Sequence, residues 1–226
     1  APAILEAVTG QSTADEEFPW LSHQTVQISG CEVTAIRVSF AGEAGFEIHC
    51  KMNNVVTIFD SVMEAGKKHQ LRLFGMLALD SMRLEKGYRS WKADLTSDYT
   101  MLESGLGRWI NFNKDDFIGR AVLQEEYQSG SGREFVTLVL DDPEDNDLFG
   151  EAIYLSSVFI DGASAGLVVS CGYGHRIKAS IAMAVVDRMA LKNGSDITVQ
   201  VLGRTRRATL IDGHVLYDPE NTKMKG

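Results

Sequence analysis

The second half of the sequence is built from short apolar runs with the period of β-strands, and few architectures can accommodate that pattern. Runs at 135–140, 152–155, 158–160, 165–169, 180–186, 196–201 and 206–211 are separated by turn formers such as Asp161-Gly162 and Asn193-Gly194. Strands this short leave unpaired edges unless the sheet closes on itself, so the spacing predicts a small antiparallel barrel. Ser129-Gly130-Ser131-Gly132, just before it, favours neither helix nor strand and marks a joint. The expected division is therefore 1–129 and 130–226.

The first part reads as mixed α and β. Ile4, Leu5 and Val8 give a helical face that stops at Gly10, and residues 11–19 form a polar loop. Val26 and Ile28 alternate with polar neighbours, Ser29-Gly30 turns the chain, and Thr34, Ile36, Val38 and Phe40 alternate on the return, a hairpin pattern. A third strand is expected at 46–50. From Asn53, the residues Val55, Val56, Phe59, Val62 and Met63 recur at helical spacing as far as Gly66. A second helix is expected at 76–86, a long loop at 88–107, a short strand at 109–112 and a helix at 119–127. The fold class is α+β followed by a β-barrel.

With 226 residues, 44% of them hydrophobic, the chain can bury a sizeable core. A net charge of −9 argues against a surface that tracks nucleic acid or anionic membrane, because such surfaces need clustered Lys and Arg. Cys31, Cys50 and Cys171 are odd in number and widely spaced, which points to neither a disulfide framework nor a zinc site. The expected compartment is reducing: cytoplasm, or mitochondrial matrix in a eukaryote. The opening APAILEAVTG reads as a chain entered in mid-domain.

Two stretches carry the functional signal: SFAGEAGFEIH at 39–49 and LDSMRLEKGYRSW at 79–91. In the first, strand alternation commits Phe46 and Ile48 to one face and Glu47 to the other. Taken with DLTSDYTMLESGLG, FIGRAVL, GLVVSCGYGHRIKASIAMAVVD and LYDPEN, these stretches resemble the folate-binding region of the glycine cleavage T-protein (aminomethyltransferase) family. The resemblance is strongest to the subgroup fused to flavin enzymes, the dimethylglycine and sarcosine dehydrogenases.

The resemblance implies a folate-binding α+β domain (antiparallel sheet plus helices) with a C-terminal barrel, and tetrahydrofolate as cofactor. It implies transfer of a one-carbon unit at the formaldehyde level from an aminomethyl or N-methyl donor, giving 5,10-methylenetetrahydrofolate. A flavin domain or a carrier protein would be the partner. Two other readings stay open: a folate-binding or assembly module without chemistry, and a folate-dependent demethylase. A pterin presents its 2-amino group and N3–H side by side, and one carboxylate can accept both. The resemblance gives that role to Glu47, with Glu43 shaping the turn. Tyr88 lines the pocket, and Phe40 is an aromatic wall that lacks the hydroxyl many relatives carry there. Arg83, with Lys86, Arg89 and Lys92, either holds the glutamate tail or forms a solvated basic face. Leu79 stands where aminomethyltransferases carry an Arg. The family's catalytic Asp lies upstream of the first motif, and none of Asp15, Glu16 or Glu17 has its context.

His175 and Cys171 lack an adjacent orienting acid and read as a turn histidine and a buried thiol. His23, His49, His69 and His214 show no metal spacing. Arg204, Arg206 and Arg207 read as surface charge between strands.

Overall fold

The computed structural model describes residues 1–141 and 151–224. The chain divides into two compact units, Ala1–Met82 with Asp218–Gly226, and Arg83–Tyr217. Each has its own core.

In the first unit, β1 (His23–Ile28) and β2 (Cys31–Ile36) form a hairpin, and β3 (Glu47–His49) pairs antiparallel to β2. Ser29 (φ 48°) and Gly30 (φ 76°) both take the left-handed conformation, the turn whose twist matches that of paired strands. Val26, Ile28, Val33 and Ala35 share one face of the sheet. Leu5 of α1 (Pro2–Thr9) and Ile58 of α2 (Val55–Gly66) cover that face. β2 ends at Ile36, short of the expected Phe40. Leu21 at φ 63° makes the pairing irregular, and the buried Arg37 turns its guanidinium to the carbonyls of Thr13 and Phe18 and to Asp15. α2 also corrects its expected face. Ile58 and Val62 point to the sheet, whereas Val55, Val56 and Phe59 lie exposed.

In the second unit, six strands close into an antiparallel barrel in the order β4-β7-β6-β5-β8-β9, with β9 pairing back onto β4. They are β4 (Arg133–Leu140), β5 (Ser157–Ile160), β6 (Ala163–Gly174), β7 (Ala179–Asp187), β8 (Ile197–Val201) and β9 (Arg204–Ile211). The barrel and the α+β class are as the sequence leads one to expect. The run at 152–155 is not a strand. Leu155 has φ 66°, and Ser156 donates to the Ile153 carbonyl, closing a turn. Residues 188–193 form a short helix that periodicity did not reveal, capped by the Asp187 carboxylate, which accepts from the Ala190 N–H.

β7 is buried on both faces. Ala182, Ala184 and Val186 fill the barrel, while Ile181, Met183 and Val185 pack outward against Leu84, Phe135 and Val169. Leu84 lies near the end of α3 (Met76–Glu85). The outward apolar face of β7 therefore draws the segment after Met82 onto the barrel, which explains why the second unit begins at Arg83. The expected strand at 109–112 is replaced by a single 3-10 turn at Gly107–Trp109, and α4 (Arg120–Ser129) follows as expected. Among the described residues, no helix is long and apolar enough to cross a membrane.

Candidate functional site

In the first unit the GEAGFE segment is a tight connection between β2 and β3. Gly42 has φ 77°. At Gly45 a Cβ would stand 3.2 Å from the Val38 carbonyl oxygen, which favours glycine there. The Ala44 N–H donates to the Lys223 carbonyl at 2.8 Å. Phe46 stacks against the buried Phe18 with ring centroids 5.4 Å apart, and Ile48 joins the same core. Glu47 must then project from the opposite face, where its side chain is 61% exposed and its Oε2 lies 3.3 Å from His49 Nε2. Opposite Glu47 on β2 is Ile36, and opposite His49 is Thr34. Phe40 and Glu43 are exposed in the same connection.

In the second unit Arg83 is 2% exposed. Its Nη1 donates to Asp94 Oδ2 at 2.7 Å and to the Tyr88 carbonyl at 3.1 Å, and its Nη2 donates to Ser170 Oγ at 2.8 Å. Asp94, wholly buried, also accepts from the Ser90 N–H at 2.6 Å. The pair pins both ends of the loop that follows α3, and with it the backbone of Tyr88. Glu85 does similar work. Its Oε1 accepts from the Arg176 and Ile177 N–H groups, and its carbonyl from those of Leu216 and Tyr217. Lys86 is buried as well, donating to the Tyr217 carbonyl at 3.4 Å. The basic residues 83, 86 and 89 are thus not a solvated face, and of the four only Lys92 is exposed.

Periodicity did not single out Asp94, Ser170 or Glu103. Each lies in a turn-rich stretch or at a strand irregularity, where one buried polar residue leaves no repeating signal. Glu103 takes Arg133 in a fork, Oε1 from Nε and Oε2 from Nη2, both at 2.9 Å. That hydrogen bonding holds its carboxyl below the usual range.

His175 is an exposed turn residue set edge-on to Tyr173. Cys31 and Cys50 are free thiols, and Cys171 packs against the barrel core. No group of three or more His, Cys, Asp or Glu among the described residues is arranged to hold a metal ion. The arginines 204, 206 and 207 lie on β9 rather than between strands. Arg204 and Arg207 are exposed, whereas the guanidinium nitrogens of Arg206 are buried.

The family profile described as "GCVT N-terminal domain" matches residues 1–114, and "Glycine cleavage T-protein C-terminal barrel domain" matches 133–218. The chain is 31% identical over 231 residues to the mitochondrial dimethylglycine dehydrogenase of Homo sapiens, covering 100% of this chain and 26% of that protein. It is 32% identical over 235 residues to the human mitochondrial sarcosine dehydrogenase, covering 99% of this chain and 24% of the relative. To the aminomethyltransferase of Caldanaerobacter subterraneus it is 28% identical over 214 residues, 94% of this chain and 55% of the relative. The chain thus spans about a quarter of the length of the dehydrogenases it matches. Its fold superposes on the crystal structure of glycine cleavage system aminomethyltransferase T from Bartonella henselae with a TM-score of 0.76 at 23% identity, over 95% of this chain and 57% of that one. A profile match across half of the chain, a second over the barrel, and the shared fold together establish that this chain belongs to the glycine cleavage T-protein family.

Proposed function

We propose that the chain is the tetrahydrofolate-handling part of a one-carbon transfer enzyme of the dimethylglycine or sarcosine dehydrogenase type. The observation that carries this reading is the placement of Glu47. The motif G-E-x-G-F-E folds so that Phe46 and Ile48 enter the core and the Glu47 carboxylate stands on the open face of the sheet. From there it accepts the 2-amino and N3–H donors of a pterin as a fork. The resemblance to the family, rather than the geometry, supports Phe40 as an apolar wall and Tyr88 as a residue that lines the folate pocket; within the second unit the Tyr88 carbonyl accepts from Arg83.

A bound tetrahydrofolate would supply the two nitrogens that take up a one-carbon unit at the formaldehyde level from a methylene iminium, with the donor nitrogen released as its ammonium ion; the residues proposed to hold it are Glu47, Phe40 and Tyr88. An N-methyl or aminomethyl compound supplies the iminium, and a flavin domain or a carrier protein delivers it. The compartment is cytoplasm or mitochondrial matrix. We put the joint between the two family modules at 129–132 because Ser129-Gly130-Ser131-Gly132 favours neither helix nor strand, although the compact units divide elsewhere, at Met82 and Arg83. Limited proteolysis should nick there before cutting within β4 to β9, and earlier cleavage inside the barrel strands would refute the joint.

A folate-binding module without chemistry is the second reading, and two observations favour it. Asp15, a carboxylate of the first unit, is committed to the buried Arg37 at 2.5 Å, and Leu79 takes the place of the family's Arg. A base that receives the folate proton is worth about 10²–10⁴ in rate. The isolated chain is therefore expected to bind a reduced folate yet form methylenetetrahydrofolate at least ~100-fold more slowly than a full-length relative. Turnover at a comparable rate would place the base among these residues, and failure to bind any reduced folate would overturn the assignment.

A further inference from the structure

The sheet of the first unit has a covered face and an open one. Val26, Ile28, Val33, Ala35 and Ile48 belong to the core side, so their strand neighbours point the other way. On that open side the register sets His23, Ile36 and Glu47 in one row across the strands and Thr25, Thr34 and His49 in the next. Ile36 therefore stands between Glu47 and His23.

The hydrogen-bonding group that reaches Glu47 among the described residues is His49, two positions further along β3 and on the same face. Its Nε2 lies 3.3 Å from Glu47 Oε2, with the two side chains 58% and 61% exposed. A carboxylate only accepts, so the shared proton sits on Nε2 and the imidazole is the donor. An ion pair or hydrogen bond this open to water adds little to stability. Its consequence is orientational.

Core packing of Phe46 and Ile48 decides which face Glu47 leaves the strand from, but it does not fix the torsions beyond Cβ. A glutamate on an open sheet samples several rotamers and loses that freedom when a ligand engages it. The bond from His49 selects one orientation beforehand. It occupies a single lone-pair site on Oε2 and leaves Oε1 and the rest of Oε2 to accept a further pair of donors.

We propose that His49 is a positioning residue for Glu47, holding its carboxylate ready for the side-by-side 2-amino and N3–H donors of a reduced pterin, a role that rests on the folate reading of Glu47. Its hydrogen bond is to the carboxylate and not to the pterin.

Tetrahydrofolate titrated anaerobically into the full chain tests this. His49→Leu, of similar bulk and without a donor, should weaken binding by about 3- to 10-fold, the range that ordering one side chain is worth. His49→Gln, whose amide nitrogen can stand in for Nε2, should return the affinity to within about 2-fold of wild type. In a Glu47→Ala background, where no carboxylate remains to be held, His49→Leu should change the affinity by less than about 2-fold. The exposed position of residue 49 leaves the core untouched, so the unfolding transitions of both His49 variants should coincide with that of wild type. Binding by His49→Leu like wild type, no recovery in His49→Gln, or a loss that persists without the Glu47 carboxylate would each overturn the positioning role and leave the folate reading standing. Absence of tetrahydrofolate binding by wild type would overturn both.

Discussion

Asp94→Asn should be among the most destabilising single substitutions available in this chain. Asp94 is wholly buried and faces the Arg83 guanidinium, itself 2% exposed, at 2.7 Å. The amide keeps a hydrogen bond from the Ser90 N–H but removes the negative charge that accompanies a guanidinium out of water. Breaking a buried pair from one side typically costs about 3–5 kcal/mol. A domain of ordinary stability holds only about 5–15 kcal/mol in all, so the melting temperature should fall by roughly 10 °C or more. Denaturant unfolding of wild type and variant checks this, and a cost below about 1 kcal/mol would show that the pair is not structural. The double variant Arg83→Met with Asp94→Leu should recover part of the loss, because replacing both charges removes the desolvation penalty together with the attraction. The same bonds hold the Tyr88 carbonyl, so any folate affinity should fall in Asp94→Asn and not return in the double variant.

The barrel was legible because its signal repeats. Ser29-Gly30 and Asp161-Gly162 carry turn chemistry that names the hairpins, and both pairs have positive φ in the structure. The turn between β8 and β9 escaped notice because Leu202 (φ 48°) stands before Gly203 (φ 80°), and a leucine rarely takes that conformation. The helix after β7 was hidden because it spans only Arg188–Asn193, too short for an apolar period to show. Burial was harder to read than element type. Periodicity does not tell which side of α2 meets the sheet: of the residues that recur at helical spacing Val62 packs inward beside Ile58, whereas Val55, Val56 and Phe59 lie exposed. The candidate site divides in the same way. Glu47's outward direction follows from strand alternation alone, whereas the burial of Arg83, Glu85 and Lys86 depends on contacts with residues up to 131 positions away in the chain.

The central claim is that Glu47 reads the pterin. Its strand neighbours are held by the core, Phe46 on Phe18 and Ile48 in the same cluster, so the carboxylate has one side to face and no freedom to turn inward. Glu47→Gln preserves size while aiming a donor at a donor. Losing one member of a charged hydrogen-bonded pair that the ligand buries costs about 2–5 kcal/mol, on the order of 30- to several-thousand-fold in affinity. Glu43 is exposed in the adjacent turn, and Glu43→Gln should change affinity by less than about tenfold. The direct measurement is a calorimetric or fluorescence titration of a reduced folate against wild type, Glu47→Gln and Glu43→Gln under one set of conditions. The expected result is saturable binding to wild type and to Glu43→Gln, with at least ~30-fold weaker binding to Glu47→Gln. If Glu47→Gln binds like wild type while Glu43→Gln does not, the pterin contact belongs to the other carboxylate and the account of this site fails.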